Sequence, residues 1–293
     1  MSAVEQSSAG ANSPANATIT KRIEAKGISF AYREIGPASG TPLLFLNRFR
    51  ATMDDWDPLF IDRVAKTRRV ILFDSTGVGL SSGDTPASIP AMADAAIAFM
   101  DALGIKQVDL LGWSMGGMIS FAVAIAQPDR VRRMVIAGST PAGVPNSPPA
   151  PPKVAEVATN PQSGLEGILY LFFPETAEGR AAGMAHFGRM SKNTRAEAPI
   201  PPNKPEVFRS QAIAIQTYRQ AGGGFPKLSG LKHPVLLANG AHDVMIPAFD
   251  SFAAAQQLPN GKAIIYPASG HAFLFQLAER FADDVNVFLN ETN

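Results

Sequence analysis

From Val108 to Gln127 the chain reads VDLLGWSMGGMISFAVAIAQ. An apolar run with the look of a strand ends in Gly112-Trp113-Ser114-Met115-Gly116, and a second apolar run begins at once. A Gly-x-Ser-x-Gly pattern between a strand and a helix points to one geometry, a nucleophile elbow. The serine sits on a sharp, strained turn where side chains two residues to either side would collide. The turn lifts the hydroxyl clear of the backbone and sets the following peptide N–H beside it. No residue between Asp109 and Asp129 is charged, a length that would suit a membrane span. Gly112, Gly116 and Gly117 in the middle argue instead for a buried strand feeding a buried helix.

The flanking sequence repeats the alternation. Ile19 to Ile23 and Ile28 to Ile35 predict a hairpin turning near Lys26-Gly27. Leu43 to Leu46, Val70 to Phe73 and Val131 to Ala137 predict further strands. Helices are predicted from about Trp56 to Ala65 and from Pro90 to Leu103, the second with proline in its first turn. Strands alternating with helices imply an α/β fold, a mainly parallel sheet with helices on both faces.

The rhythm stops at Thr140. Pro141 to Pro152 is proline-rich, and three helical patches follow near Gly164–Phe172, Ala177–Met190 and Pro205–Gln220 before Gly222-Gly223-Gly224. We read 140–229 as a helical insertion laid over the sheet, with 18–139 and 230–293 forming the core. Strands return at Val235–Ala238 and Lys262–Tyr266, and a last amphipathic helix is expected over Phe273–Leu289. The first 17 residues, rich in Ser, Ala, Asn and Pro, read as a disordered tail.

Composition narrows the function. The net charge of +1 argues against a nucleic-acid binder. The absence of cysteine removes thiol catalysis, disulfides and Cys-ligated metals. No His/Asp/Glu cluster has metal-ligand spacing, there is no P-loop Gly-Lys-Ser/Thr, and Gly77-Val78-Gly79 with Gly83 does not have dinucleotide-loop spacing. We therefore expect neither metal nor cofactor, a small-molecule substrate, and neither nucleic acid nor membrane as partner. With no basic-then-apolar leader at the start, a cytoplasmic location is expected.

A serine hydroxyl needs a base with a pKa near neutrality. Of His186, His233, His242 and His271, only His242 and His271 follow strands at the carboxyl edge, the edge that carries the elbow. His271, in Ser269-Gly270-His271, is the candidate base. Asp243, beside His242 after Val235–Ala238, is the candidate carboxylate that would orient its ring. His242 is then expected to be a bystander. The order Ser114, Asp243, His271 is the order found in one serine-hydrolase architecture and not in the others.

On these residues the sequence resembles the α/β-hydrolase fold family, in particular its haloperoxidase-like esterases and C–C bond hydrolases. The resemblance spans about residues 19 to 290. It rests on Asp74-Ser75-Thr76-Gly77-Val78-Gly79-Leu80-Ser81, the Gly112–Gly117 elbow, Gly240-Ala241-His242-Asp243 and Ser269-Gly270-His271. It implies an eight-stranded, mostly parallel sheet with a helical cap after the sixth strand. It implies a structural role for Asp74, and an oxyanion hole made by the N–H groups of Phe49 and Met115. The family has His-Gly after its third strand; this chain has Asn47-Arg48, which brings Arg48 and Arg50 to the mouth of the site.

The resemblance and the residues together lead us to expect a serine esterase-type hydrolase acting on a small, mainly apolar substrate. C–C cleavage or perhydrolysis by the same triad, or a slow-turnover receptor, are the alternatives. Arg48, Trp113, Tyr170 and Phe173 are candidate substrate contacts. Trp113 is expected to be wedged behind the elbow, and one of Tyr170, Phe172 and Phe173 to meet substrate. Asp54, Asp55 and Asp57 are the expected partners of Arg48 and Arg50, unless those arginines grip an anionic group of the substrate.

Overall fold

The computed structural model describes residues 13–160, 162–192 and 197–292. The described chain opens with a single helical turn, α1 (Pro14–Ala17), then β1 (Lys21–Ala25) and β2 (Ile28–Ile35). Lys26 and Gly27 between these strands both have positive φ, +50° and +75°, as a two-residue hairpin with a primed turn requires. The α/β alternation follows: β3 (Leu43–Leu46), α2 (Pro58–Ala65), β4 (Val70–Phe73), α3 (Ile89–Ala102), β5 (Val108–Trp113), α4 (Met115–Ala126) and β6 (Val131–Ala137). Next come α5 (Pro152–Thr159), α6 (Gly164–Phe172), α7 (Ala177–Ser191) and α8 (Pro205–Gln220). The chain closes with β7 (Val235–Gly240), α9 (Ala248–Gln257), β8 (Gly261–Tyr266), α10 (Phe273–Gln276) and α11 (Ala278–Asn290).

The eight strands form one sheet in the order β1-β2-β4-β3-β5-β6-β7-β8. β2 runs antiparallel to both its neighbours, and the pairs from β4 to β8 are parallel. This is the mostly parallel, eight-stranded sheet expected. Its central strands are apolar on both faces, and period two divides them between two layers. Leu44, Leu46, Leu110, Met134, Ile136 and Leu237 face the layer that contains α3 and α4. Leu43, Phe45, Leu111, Val135, Ala137 and Leu236 face the layer that contains α2 and α11. In that second layer Phe60 of α2 stacks on Phe281 of α11, ring centroids 5.3 Å apart.

Helices α5 to α8 lie between β6 and β7 and form a cap. α7 packs on α10 and α2, and α8 on α3. Two of the long-range ties that hold the cap start from buried charged side chains. The buried Asp57 caps α2 through Leu59 N–H and also meets His186 Nδ1 at 2.7 Å and Arg189 Nη2 at 2.6 Å, both from α7. Burial pushes the Asp57 carboxyl up, but those two partners outweigh it and hold it below its usual range. The second tie runs from the buried Arg33 of β2 to Asp54 Oδ1 at 2.6 Å, with Asp54 Oδ2 accepting Ile200 N–H.

Some local expectations are corrected. The tail is structured from Ser13 onward: Ser13 caps α1, and Ala15 N–H donates to Asp62 Oδ1 at 2.8 Å. Residues 1–12 lie outside the described residues. α5, which the sequence reading did not predict, begins at the last residue of the proline-rich segment: Pro152 takes the first helical position, where no amide hydrogen is needed. The final helix breaks at Leu277, with φ −120° and ψ 43°. No helix among the described residues is long and apolar enough to cross a membrane.

Candidate active site

The site is built at the carboxyl edge, where β3, β5, β7 and β8 each end in a loop. Ser114 sits between β5 and α4 with φ +55° and ψ −119°, a region that an L-residue occupies only under strain. The glycines either side make this possible. A Cβ on Gly112 would overlap the Gly116 carbonyl, and one on Gly116 would overlap the Leu46 carbonyl of β3. Ser114 N–H is fixed on Ala137 O at 2.9 Å, and Ser139 Oγ donates to Ser114 O at 2.5 Å. Met115 opens α4, so its N–H has no acceptor within the helix.

Asp243 follows β7 and His271 follows β8. Asp243 Oδ2 accepts His271 Nδ1–H at 2.7 Å, and both side chains are buried. Asp243 Oδ1 accepts the N–H groups of Met245 and Ile246, each at 2.9 Å. A carboxylate only accepts, so Nδ1 carries the ring proton and a neutral ring keeps its lone pair on Nε2. That Nε2 is buried and has no hydrogen-bond partner. His271 O accepts Trp113 Nε1–H at 3.2 Å, and the rings of Trp113 and Phe172 each stand 5.8 Å from the imidazole.

Ser114 and His271 open onto a cavity of about 760 Å³ under the cap. Ile168, Leu171, Phe172 and Phe208 of the cap, with Met245 and Phe49 of the core, give it an apolar wall. Arg48, Arg50, Asp54, Asp55 and Glu197 form its polar end.

The candidate substrate contacts separate. Arg48 lines the cavity, its guanidinium 5.2 Å from the Trp113 ring centroid and 5.0 Å from that of Phe172. Trp113 is buried behind the elbow and does not line the cavity. Tyr170 and Phe173 turn away from it. They line a separate concavity of about 220 Å³ with His242, because Tyr170 lies off the face of α6 that carries Ile168 and Phe172, and Phe173 has left the helix for extended backbone, φ −126° and ψ 150°. Phe172 is the member of that aromatic group that faces Ser114's cavity.

The expected acidic partners also sort out. Arg48 Nη2 meets Asp55 Oδ1 at 2.6 Å, and burial lowers its pKa against the pull of that carboxylate. Asp54 and Asp57 are taken by Arg33, His186 and Arg189. Arg50 pairs with none of the three: it donates to Ala158 O at 3.2 Å and lies 4.3 Å over the Phe208 ring.

The loop that carries Phe49 is held by side chains instead of a glycine. Asn47 Nδ2 donates to Phe73 O, and Asn47 Oδ1 accepts Trp56 Nε1–H. Arg48 Nη1 donates to Phe49 O at 2.8 Å. Asp55 caps Thr52, whose hydroxyl accepts Asp54 N–H in return. Asp74 accepts Met53 N–H on one oxygen and Leu80 N–H on the other, tying this loop to the turn after β4. Sequence reasoning singled out neither the Asp55 cap nor Gln211 and Asn203, which reach this loop from the cap. The partners of Gln211 and Asn203 lie more than 150 residues away and no spacing signals them, whereas Thr52-Met53-Asp54-Asp55 does carry capping-box spacing.

Comparison with known proteins agrees with the fold. The family model described as alpha/beta hydrolase fold matches residues 41–276. The 2-hydroxymuconate semialdehyde hydrolase of Pseudomonas sp. (strain CF600) is 30% identical over 96% of this chain and 98% of its own length. A protein of the same name from Pseudomonas putida is 32% identical over 79% of this chain and 80% of its own. Among solved structures, an alpha/beta hydrolase fold protein from Chitinophaga pinensis superposes with a TM-score of 0.85 at 32% identity, covering 95% of this chain and 99% of that one.

Proposed function

Since this chain belongs to the alpha/beta hydrolase fold family and is a hydrolase, we propose that it is a serine hydrolase cleaving an ester-type bond of a small, mainly apolar substrate. The observation that carries this reading is the buried Asp243–His271 pair. Its unpartnered Nε2 belongs to a residue lining the same cavity as Ser114. Such hydrogen bonds are often open before substrate binds, and a base without another partner is free to take the serine proton.

The steps follow from the residues. Ser114 gives its proton to His271 Nε2 as Oγ attacks the carbonyl carbon. The oxyanion falls to the N–H groups of Phe49 and Met115, and the loss of one such donor costs roughly 3–4 kcal/mol in other hydrolases. Asp243 steadies the imidazolium. The imidazolium then protonates the departing alkoxide, leaving an acyl-enzyme. His271 deprotonates a water, which attacks the acyl carbon, and the acid leaves as the proton returns to Ser114. The sum is ester plus water giving acid plus alcohol. A cavity of about 760 Å³ suits a small or medium acyl group.

A second reading is favoured by the names of the two Pseudomonas relatives. The same attack on a ketone would break a C–C bond if the leaving carbanion were conjugated with an acceptor and protonated by His271. Hydrolysis of p-nitrophenyl acetate, butyrate and octanoate by wild type and Ser114→Ala separates the readings. Wild-type turnover that falls by at least about 10³-fold in the variant supports ester chemistry. Turnover unchanged in Ser114→Ala overturns both readings. Inert esters with cleavage of a conjugated diketone that depends on Ser114 select the second.

A further inference from the structure

Arg50 follows Phe49 and has φ +67°, in the left-handed region, although it is not glycine. Arg50 takes the third position of a turn closed locally by Ala51 N–H on Arg48 O at 3.2 Å, but an arginine is strained in that region, and the cap adds a further hold. Gln211 of α8, only 2% exposed, accepts Arg50 N–H on Oε1 at 2.8 Å. Asn203, on the segment before α8, donates from Nδ2 to Arg50 O at 3.2 Å and accepts Gly79 N–H on Oδ1 at 2.8 Å. The peptide between Phe49 and Arg50 is thus gripped at both ends: its carbonyl by Arg48 of the core, its N–H by Gln211 of the cap.

We infer that Gln211, assisted by Asn203, is a positioning residue for the oxyanion hole, holding the Phe49–Arg50 peptide so that the Phe49 N–H points at the reacting oxygen only when the cap is seated. The inference rests on the serine chemistry proposed above. Its physical content is a coupling. The cap is usually thought of as a pocket wall; here it also fixes a backbone dihedral beside the donor. A donor that strengthens its bond as charge develops acts on the transition state, so loosening it lowers kcat and leaves KM in place.

The test uses the full chain and a p-nitrophenyl alkylphosphonate, which phosphonylates an activated serine whatever the natural substrate, followed by mass spectrometry. Gln211→Leu keeps the bulk and loses the acceptor; Gln211→Glu keeps an acceptor oxygen. We expect Gln211→Leu to slow labelling of Ser114 about 10- to 100-fold, less than outright loss of a donor. Asn203→Ala is expected to slow it about 3- to 10-fold, and Gln211→Glu to stay within about threefold of wild type. With p-nitrophenyl butyrate the loss should fall on kcat, with KM within about twofold. Labelling of Gln211→Leu at the wild-type rate, a change in KM alone, or a Gln211→Glu variant as slow as Gln211→Leu overturns the inference. If Gln211→Leu does not fold, the Asn203→Ala rate and its kcat–KM split decide alone. Failure of the serine reading looks different: wild type stays unlabelled, or Ser114→Ala is labelled as fast as wild type.

Discussion

The loop after β5 and the loop after β3 leave neighbouring parallel strands at one edge of the sheet, and each holds a non-glycine residue at positive φ, Ser114 at +55° and Arg50 at +67°. In the elbow the strain is contained locally. Gly112 and Gly116 remove the side chains that would collide, and the backbone hooks onto Ala137 of the adjacent strand. In the β3 loop no glycine helps. Asn47, Arg48, Thr52 and Asp55 bond within the loop, Asp74 ties it from the β4 side, and Gln211 reaches it from 161 residues along the chain. One strained turn is written into five consecutive residues; the other is assembled from the whole molecule. The first should therefore fail through sterics at one point, and the second by degrees as each tie is cut.

The sharpest way to break this contrast is where the loops touch. A Cβ on Gly116 would overlap the Leu46 carbonyl and crowd that of Asn47. Gly116→Ala must push β3 and the elbow apart, because both obstructing groups are backbone. We expect a stability loss of about 3 kcal/mol or more, a drop in Tm of roughly 5–10 °C, and loss of nearly all of whatever hydrolysis of p-nitrophenyl butyrate wild type supports. Calorimetry with a p-nitrophenyl butyrate assay checks this, and a variant as stable and active as wild type would show that the elbow is not sterically determined.

This contrast also explains what could be read from the sequence. Gly112-Trp113-Ser114-Met115-Gly116, Asp243 and His271 announce themselves because each lies at the end of or soon after a strand, the buried β5 and β7 and the edge strand β8, and the order of strands and helices fixes the edge they share. The parallel sheet follows from the same alternation. The direction of side chains on the cap does not, since helices laid over a sheet are placed by contacts with distant residues. That is why Phe172 faces the cavity where Tyr170 and Phe173 were expected. It is also why Asp57 serves His186 and Arg189 and leaves Arg50 to a carbonyl and a ring. α5 was hidden because it starts at the last of a run of prolines, Pro152, which is harmless on the first turn.

Asp74 offers a second break, through pH. Burial raises its carboxyl from 3.8 to about 6, although Leu80 and Met53 N–H groups favour the charged form. The folded state therefore binds this proton more tightly than the unfolded chain. The stabilisation is fully present below about pH 4, fades as pH rises, and is gone above about pH 6, a span worth up to about 3 kcal/mol. Asp74→Asn does not titrate. Urea unfolding at pH 4 and pH 7 should show wild type losing that increment relative to the variant as pH rises. Parallel stabilities at the two pH values would mean that Asp74 is ionised throughout.

The smallest effect is expected from Asp55→Ala, which tests whether the β3 loop is held by side chains in place of a glycine. Asp55 bonds Arg48 on one oxygen and Thr52 N–H on the other. The ion pair is partly exposed, 18% and 32% for its two side chains, so solvent screening limits it to about 1 kcal/mol or less. Losing the cap on Thr52 adds about 1 kcal/mol. A total of about 1–2 kcal/mol should appear in urea unfolding. If the loop presents the Phe49 amide, Asp55→Ala should also lower kcat about three- to tenfold, because freeing Arg48 loosens its grip on Phe49 O. A stability loss with kcat unchanged would place the Asp55 tie outside the part of the loop that matters for the oxyanion. The contrast would then rest on the cap's hold on Arg50 alone.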